Sequence, residues 1–279
     1  MAGTWDKQDK VIPGAYINLL TNTPLSISVG ERGTVLIAQE LSVGTDNDIY
    51  EIAASEGAYP ENASTADKKL AKLALMGAKT VLLYKLPTAH TDEHVDTMLE
   101  ALKTVDFDVL VYPYAKSGTA ASAAQQKIAA WIKAMQDDEG KNVTAVLPNY
   151  PADTEYIINN PQGTVLSDGS SLTAYETAAW IGGITAGASI TKSNTAQKFE
   201  GAIDVVPRMT RSEQETAIKA GKFILDVDRS QNVTVVADIN SLTSIGQSKS
   251  DIMKQNRSVR TACGIRSDIQ SVWDANIKG

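Results

Sequence analysis

The sequence contains few of the residues that metal sites and many catalytic sites require. Its 279 residues include one cysteine, two histidines and three phenylalanines. The single cysteine, Cys263, cannot form an internal disulfide, and such usage is typical of proteins that fold in a reducing cytosol. The two histidines, His90 and His94, restrict any histidine-based metal or catalytic site to one short segment.

Long apolar runs and an excess of positive charge are also missing. No stretch approaches the roughly 20 consecutive apolar residues of a membrane-spanning helix, and residues 1–10 lack the apolar core of a secretion signal. The 26 basic and 33 acidic residues leave a net charge of -7. This balance argues against nucleic acid as the main partner, because that affinity depends on neutralising phosphates. The sequence therefore predicts neither a membrane nor a nucleic-acid partner.

The first half of the chain alternates between strand-like and helix-like segments. Its composition, 43% hydrophobic and 21% charged, is that of a folded chain. Helical apolar spacing separates four short β-rich runs, as in consecutive βαβ units. The predicted fold class is α/β, a mixed, largely parallel sheet with helices on both faces, plus an extended N-terminal arm. The four predicted strands are Thr34–Ala38, Thr80–Tyr84, Asp108–Tyr112 and Val143–Leu147.

The second half is less regular. Thr173 and Thr210 are each followed three residues later by glutamate, the spacing of a capping box, and each predicts the start of a helix. Residues 223–227 and 233–237 predict a β-hairpin. Apolar residues at helical spacing predict a long last helix from about Ser250.

The sequence lacks a recognisable catalytic or cofactor motif. His90 and His94 are spaced to share a metal on a helix, but no third ligand is evident, so we favour a solvated helix start for both. No nucleophile elbow or phosphate-binding loop is found. The glycines of Gly182–Gly187 lie inside a predicted helix, where small residues indicate a close helix contact rather than a dinucleotide site. We expect no catalytic residue, no metal site and no cofactor.

Charge is distributed unevenly along the chain. Residues 36–65 carry six acidic side chains and no basic ones, and residues 247–279 carry an excess of basic ones. Two solvated faces are the favoured interpretation. A pair of complementary patches that guide one copy onto the next is the alternative.

The first eighteen residues have the pattern of an arm. They combine isolated apolar side chains with a polar background and a Pro-Gly break. Such a segment cannot bury its apolar side chains alone, so it must dock on its own domain or on a neighbour. The predicted subunit-linking residues are Trp5, Val11, Ile12, Pro13, Tyr16 and Ile17.

Several segments that span nearly the whole chain share one family's pattern. They are Pro13–Asn18, Glu31–Leu36, Gly77–Leu86, Ala179–Ala188, Ala217–Lys222 and Asp238–Thr243, followed by Lys249 and Arg257–Arg260. No single segment is specific, but in this order and spacing they resemble the contractile tail sheath proteins of bacteriophages and phage-tail-like bacteriocins.

This resemblance implies a structural subunit without enzymatic activity. Sheath subunits form stacked hexameric rings around an inner tail tube protein, above a baseplate, and contract when the subunits rearrange. Arms of neighbouring subunits add strands to each other's sheets. The implied locations are the bacterial host cytoplasm during assembly and the virion tail, or a tail-like particle, at maturity. A cytosolic α/β enzyme of nucleotide-binding or hydrolase type, favoured only by the βαβ order, is the alternative function.

The sequence departs from the fuller family pattern in two places. After Leu86 the chain enters a helix without an inserted β-rich domain, and it ends at Gly279, before the C-terminal arm domain of other members. We therefore expect an arm, residues 1–18, and a single α/β core, residues 19–279. A chain without the C-terminal arm should be mainly monomeric in dilute solution. Lys254, Arg257 and Arg260 are the candidates for contacts with the tube or with another subunit.

Overall fold

The first six strands of the chain form one sheet. The structure is a computed structural model, and it describes residues 33–53, 59–114, 123–246 and 250–277. The strand order is β2-β3-β1-β4-β5-β6. All neighbouring strands are parallel except β2, which runs antiparallel to β3 at one edge. Its strands are β1 (Thr34–Glu40), β2 (Ile49–Ala53), β3 (Thr80–Leu86), β4 (Val109–Val111), β5 (Thr144–Val146) and β6 (Ile157–Ile158).

Helices cover both faces of this sheet because successive strand residues point to opposite sides. Val35 and Ile37 pack with α1 and α4 on one face, whereas Leu36 and Leu110 pack with α2 and α3 on the other. The predicted mixed, largely parallel α/β sheet is confirmed. The helices are α1 (Thr65–Leu75), α2 (Asp92–Ala101), α3 (Ala123–Asp137), α4 (Ala174–Gly187), α5 (Arg211–Lys219) and α6 (Asn256–Ile277).

The second half adds two small antiparallel units. One is a three-stranded sheet in the order β8-β7-β9, and the other is the β10–β11 hairpin. The hairpin and the capping boxes at Thr173 and Thr210 are as predicted. The strands are β7 (Gly163–Leu166), β8 (Ser171–Leu172), β9 (Ala202–Val206), β10 (Leu225–Val227) and β11 (Val233–Val235).

Helix α4 lies against α1 with almost no space between the two backbones. A Cβ on Gly183 would collide with the carbonyl oxygen of Ala74, and one on Gly187 with that of Gly77. The predicted close helix contact is therefore confirmed. Gly77 serves the same contact, since a Cβ there would lie 2.6 Å from the Ile184 nitrogen. Gly77 is not among the described glycines with a positive φ, so its lack of a side chain serves this close approach and not a left-handed backbone.

Asp67 links the start of α1 to the loop after β1. Its carboxylate accepts hydrogen bonds from the backbone N–H and hydroxyl groups of Ser42 and Ser64. Burial alone would raise the pKa of this carboxyl, but the hydrogen bonds outweigh burial and lower the pKa to about 2.

We expect replacement of Asp67 by asparagine to reduce the free energy of unfolding by about 1–3 kcal/mol at neutral pH, because the N–H and hydroxyl donors of Ser42 and Ser64 lose an ionised acceptor. The folded-state pKa lies below the unfolded value of about 3.9. The ionised form therefore stabilises the fold above pH 4, and this contribution is lost as the pH falls towards 2. Urea denaturation between pH 7 and 3 should show the difference between wild type and variant shrinking below pH 4. A difference independent of pH would contradict this assignment.

Candidate functional site

The predicted arm residues lie outside the described part of the chain. Trp5, Val11, Ile12, Pro13, Tyr16 and Ile17 all precede Gly33. Their role as a subunit-linking segment stays a prediction. The candidate site is therefore built from the last helix and from the edges of the main sheet.

The three basic candidates occupy different environments around the start of α6. Lys254 lies in the 3-10 helix Asp251–Lys254 and pairs with Asp251 at 3.0 Å. Arg257 is exposed in the first turn of α6. Arg260 is only 3% exposed. Their role in contacts with a tube or a subunit stays a prediction, and Arg257 is the one of the three that is exposed.

Arg260 belongs to a buried polar network around Asp238. Its Nη2 donates to Asp238 Oδ2 at 3.0 Å and to the Lys192 carbonyl at 2.6 Å. Asp238 also accepts from the Asn194 N–H at 2.9 Å and from Asn256 Nδ2 at 2.8 Å. This network joins the first turns of α6 to the segment between α4 and β9 and to the segment that follows the β10–β11 hairpin.

Arg266 joins α6 to the amino-terminal edge of the sheet. Its Nη1 donates to the Gln136 carbonyl at 2.9 Å and its Nε to Asn142 Oδ1 at 3.0 Å. Asn142 in turn donates to the Cys263 carbonyl at 2.9 Å. Cys263 is buried. Arg260 and Arg266 therefore make contacts within the chain, whereas Arg257 is exposed.

The second half of α6 presents an apolar surface to solvent. Ile269 and Trp273 are 65% and 52% exposed. We name this surface the outward stripe. Contiguous exposed apolar side chains of this kind mark interaction sites more often than isolated ones do. The outward stripe consists of Ile265, Ile269, Val272 and Trp273.

A second cluster lies at the carboxyl edge of the main sheet, where ligands often bind in parallel sheets. His90 Nδ1 lies 2.6 Å from Glu40 Oε1, and its Nε2 lies 2.7 Å from Tyr112 Oη. The Glu40 N–H donates to Tyr114 Oη at 2.6 Å. The expected solvated position of His90 is wrong, because its side chain is only 9% exposed. His94 instead caps α2 by accepting from the Thr91 N–H.

The hydrogen bonds of this cluster hold neighbouring elements together. Burial raises the pKa of the Tyr112 phenol above its ordinary value and that of Tyr114 to about 12. Both phenols are therefore protonated near neutral pH and act as hydrogen-bonding groups rather than nucleophiles. His90 connects the ends of β1 and β4 to the segment that leads into α2.

Two further features follow from the described residues. Across the ranges that the structure describes, histidine, cysteine, aspartate and glutamate side chains do not gather in groups of three or more that could hold a metal. No described helix combines the length and the apolar character needed to cross a bilayer.

Comparison with known proteins places this architecture in a family. The family model for the phage tail sheath protein central domain matches residues 88–241. An uncharacterised protein of Bacillus subtilis strain 168, YqbK, is 34% identical over 223 residues, which are 80% of this chain and 46% of that protein. The tail sheath protein of Clostridium phage phiCD119 is 29% identical over 231 residues, which are 81% of this chain and 63% of that protein. The chain thus spans about half to two thirds of the length of these relatives.

Solved structures share the fold. The sheath tail protein from Desulfitobacterium hafniense superposes with a TM-score of 0.80 at 26% identity, covering 94% of this chain and 83% of that chain. The helical sheath of the anti-feeding prophage in its contracted state superposes with a TM-score of 0.69 at 15% identity, covering 97% of this chain and 78% of that chain. At that identity the second likeness concerns the fold alone. Together with the match over residues 88–241, these findings establish that the chain belongs to the phage tail sheath protein family.

Proposed function

We propose that this protein is a structural subunit of a contractile phage tail or tail-like particle, which polymerises helically around an inner tube and contracts when the subunits rearrange. The observation that carries the proposal is the sheath-domain match over residues 88–241. It is supported by a structural neighbour that was observed as a contracted helical sheath. Such a machine requires two alternative packings of the same subunit, and neither a nucleotide nor a metal.

The proposal includes the partners and locations of the subunit. The intact protein forms stacked hexameric rings, contacts an inner tail tube protein and joins a baseplate. It assembles in the bacterial host cytoplasm and functions in the virion tail or tail-like particle. Residues 1–18 act as a linking arm and residues 19–279 form the core domain.

Co-sedimentation tests this function. The full-length gene product should pellet on ultracentrifugation when it is produced together with the tube protein of the same particle, and much less when it is produced alone. Recovery of the protein only in the supernatant, with and without the tube, would contradict the proposal. Deletion of residues 1–18 should abolish pelleting while the core retains a cooperative melting transition.

The alternative, a nucleotide-binding or hydrolytic enzyme, rests on the βαβ order alone. The carboxyl-edge cluster of His90, Glu40, Tyr112 and Tyr114 is tied together by internal hydrogen bonds. We therefore propose that the protein acts without catalysis. A rise in melting temperature on adding nucleotides would favour the enzyme instead.

A further inference from the structure

A small cavity lies between the first turns of α6, helix α4 and strands β5 and β6. About 10 Å³ of it is open to the centre of a water-sized sphere, which is room for one water molecule but not for an organic ligand. Its wall is partly apolar, with Ile158 and Val259, and partly polar. The buried polar side chains at the wall include Glu155, Thr185 and Arg260.

Thr185 brings a hydroxyl group to this wall from α4. The residue is 3% exposed, and its Oγ1 has no hydrogen-bond partner among the described residues. Other polar side chains at the wall bond to the protein, since Asn256 donates to Asp238 at 2.8 Å and Tyr156 to Asp137 at 3.2 Å. Leaving a buried hydroxyl unpaired is unfavourable, and native proteins commonly satisfy such groups with an internal water.

Glu155 supplies an acceptor at the same cavity. It is 7% exposed, and its Oε2 accepts a long hydrogen bond from Thr154 Oγ1 at 3.4 Å. A carboxylate has about four acceptor positions on its two oxygens, so it can accept from a water molecule as well as from the protein. A water molecule can therefore accept from Thr185 and donate to Glu155, which gives it the two polar partners that an internal water needs.

We propose that this cavity binds one structural water molecule, which accepts a hydrogen bond from the Thr185 hydroxyl and donates one to the Glu155 carboxylate. The water joins α4, which packs on the main sheet, to the segment that leads into β6. Arg260 borders the same cavity, so the bound water forms part of the surface on which the first turns of α6 lie. The site belongs to the single chain and is independent of the proposed assembly.

Oxygen-17 magnetic relaxation dispersion tests the site, because it counts the internal water molecules that have long residence times. Thr185→Val keeps the shape of the side chain but removes the hydroxyl, and it should lower the count by one. Thr177→Val is the matched control, since Thr177 is also buried on α4 but does not line the cavity. Its count should equal that of wild type. An equal count in wild type and Thr185→Val, or the same loss in the control, would overturn the proposal.

The sign of the stability change provides a second test. If the Thr185 hydroxyl is bonded to a water molecule, Thr185→Val should lower the equilibrium constant for folding about fivefold. If the hydroxyl is unpaired, its removal should raise that constant, because an unfavourable buried polar group is lost. Urea denaturation measures the constant, and a value equal to or above that of wild type would overturn the proposal.

Thr185→Ser keeps the hydroxyl and separates its role from that of the side-chain shape. This variant should retain the water count of wild type. Loss of the water in Thr185→Ser as well as in Thr185→Val would overturn the assignment of the hydroxyl as its ligand. Thermal melting of each variant establishes that it is folded before its water molecules are counted.

Discussion

Replacement of Gly183 by alanine is expected to lower the free energy of unfolding by about 3 kcal/mol, the upper part of the usual range for overpacking. The added Cβ would meet the carbonyl oxygen of Ala74, a backbone atom that cannot rotate away as a side chain can. Helices α1 and α4 must then separate, and both cover one face of the main sheet. The expected loss exceeds the gain of about 1 kcal/mol that alanine normally brings to a helix.

Urea denaturation followed by tryptophan fluorescence measures this effect. Gly246→Ala is the matched control, because a Cβ there meets no atom within 4 Å and the backbone needs no positive φ. It should leave the free energy of unfolding within about 0.5 kcal/mol of wild type. A Gly183→Ala protein as stable as this control would show that the two helices are not in close contact.

Replacement of Arg260 by methionine is expected to cost about 3–5 kcal/mol, the usual result of removing one partner from a buried ion pair. Asp238 is 3% exposed and would keep its charge in the interior without the guanidinium. Arg257→Met is the matched control, since Arg257 lies one turn earlier on the same helix and is exposed. Its expected effect on stability is within about 0.5 kcal/mol.

The same pair of variants separates a structural role from an interface role. If Arg260 acts only within the chain, Arg260→Met should lower the melting temperature by several degrees, and Arg257→Met should leave it unchanged. If Arg260 instead contacts a tube or a second subunit, its replacement should weaken assembly without changing the melting of the isolated chain. That second outcome would contradict the buried network around Asp238.

The sequence predicts the parts of the fold that local patterns encode. The apolar runs at Thr34–Ala38 and Thr80–Tyr84 indicate strands. In the structure the first strand continues to Glu40 and the second to Leu86. The capping boxes at Thr173 and Thr210 indicate helix starts because each cap is a contact within three residues. The β10–β11 hairpin is predicted for the same reason, since its two strands are close together in the sequence.

The parts that the sequence did not predict depend on distant partners. Strand β2, Ile49–Ala53, lies in an acidic stretch and buries only Ile52, so it has little strand pattern of its own and is held by pairing with β3. His90 is buried by Glu40, 50 residues away, and by Tyr112. Arg266 contacts Gln136 across 130 residues. No local spacing distinguishes such arginines and histidines from solvated ones.

The outward stripe shows a further limit of sequence patterns. Apolar residues at helical spacing predict a long last helix from about Ser250, and the structure contains that helix from Asn256, after the 3-10 helix Asp251–Lys254. Val259 is buried, but Ile269 and Trp273 are exposed. The apolar positions of this helix therefore include residues of a buried face and residues of an exposed face. The sequence does not distinguish them, because the position of α6 on the domain decides which residues are buried.

Electron microscopy of the full-length gene product, produced with the tube protein of the same particle, tests the central claim most directly. The proposed function predicts hollow helical sheaths around a thinner tube, built from stacked six-fold rings, with a second population that is shorter and wider. Monomers or closed oligomers under all conditions, with bare tubes beside them, would contradict it.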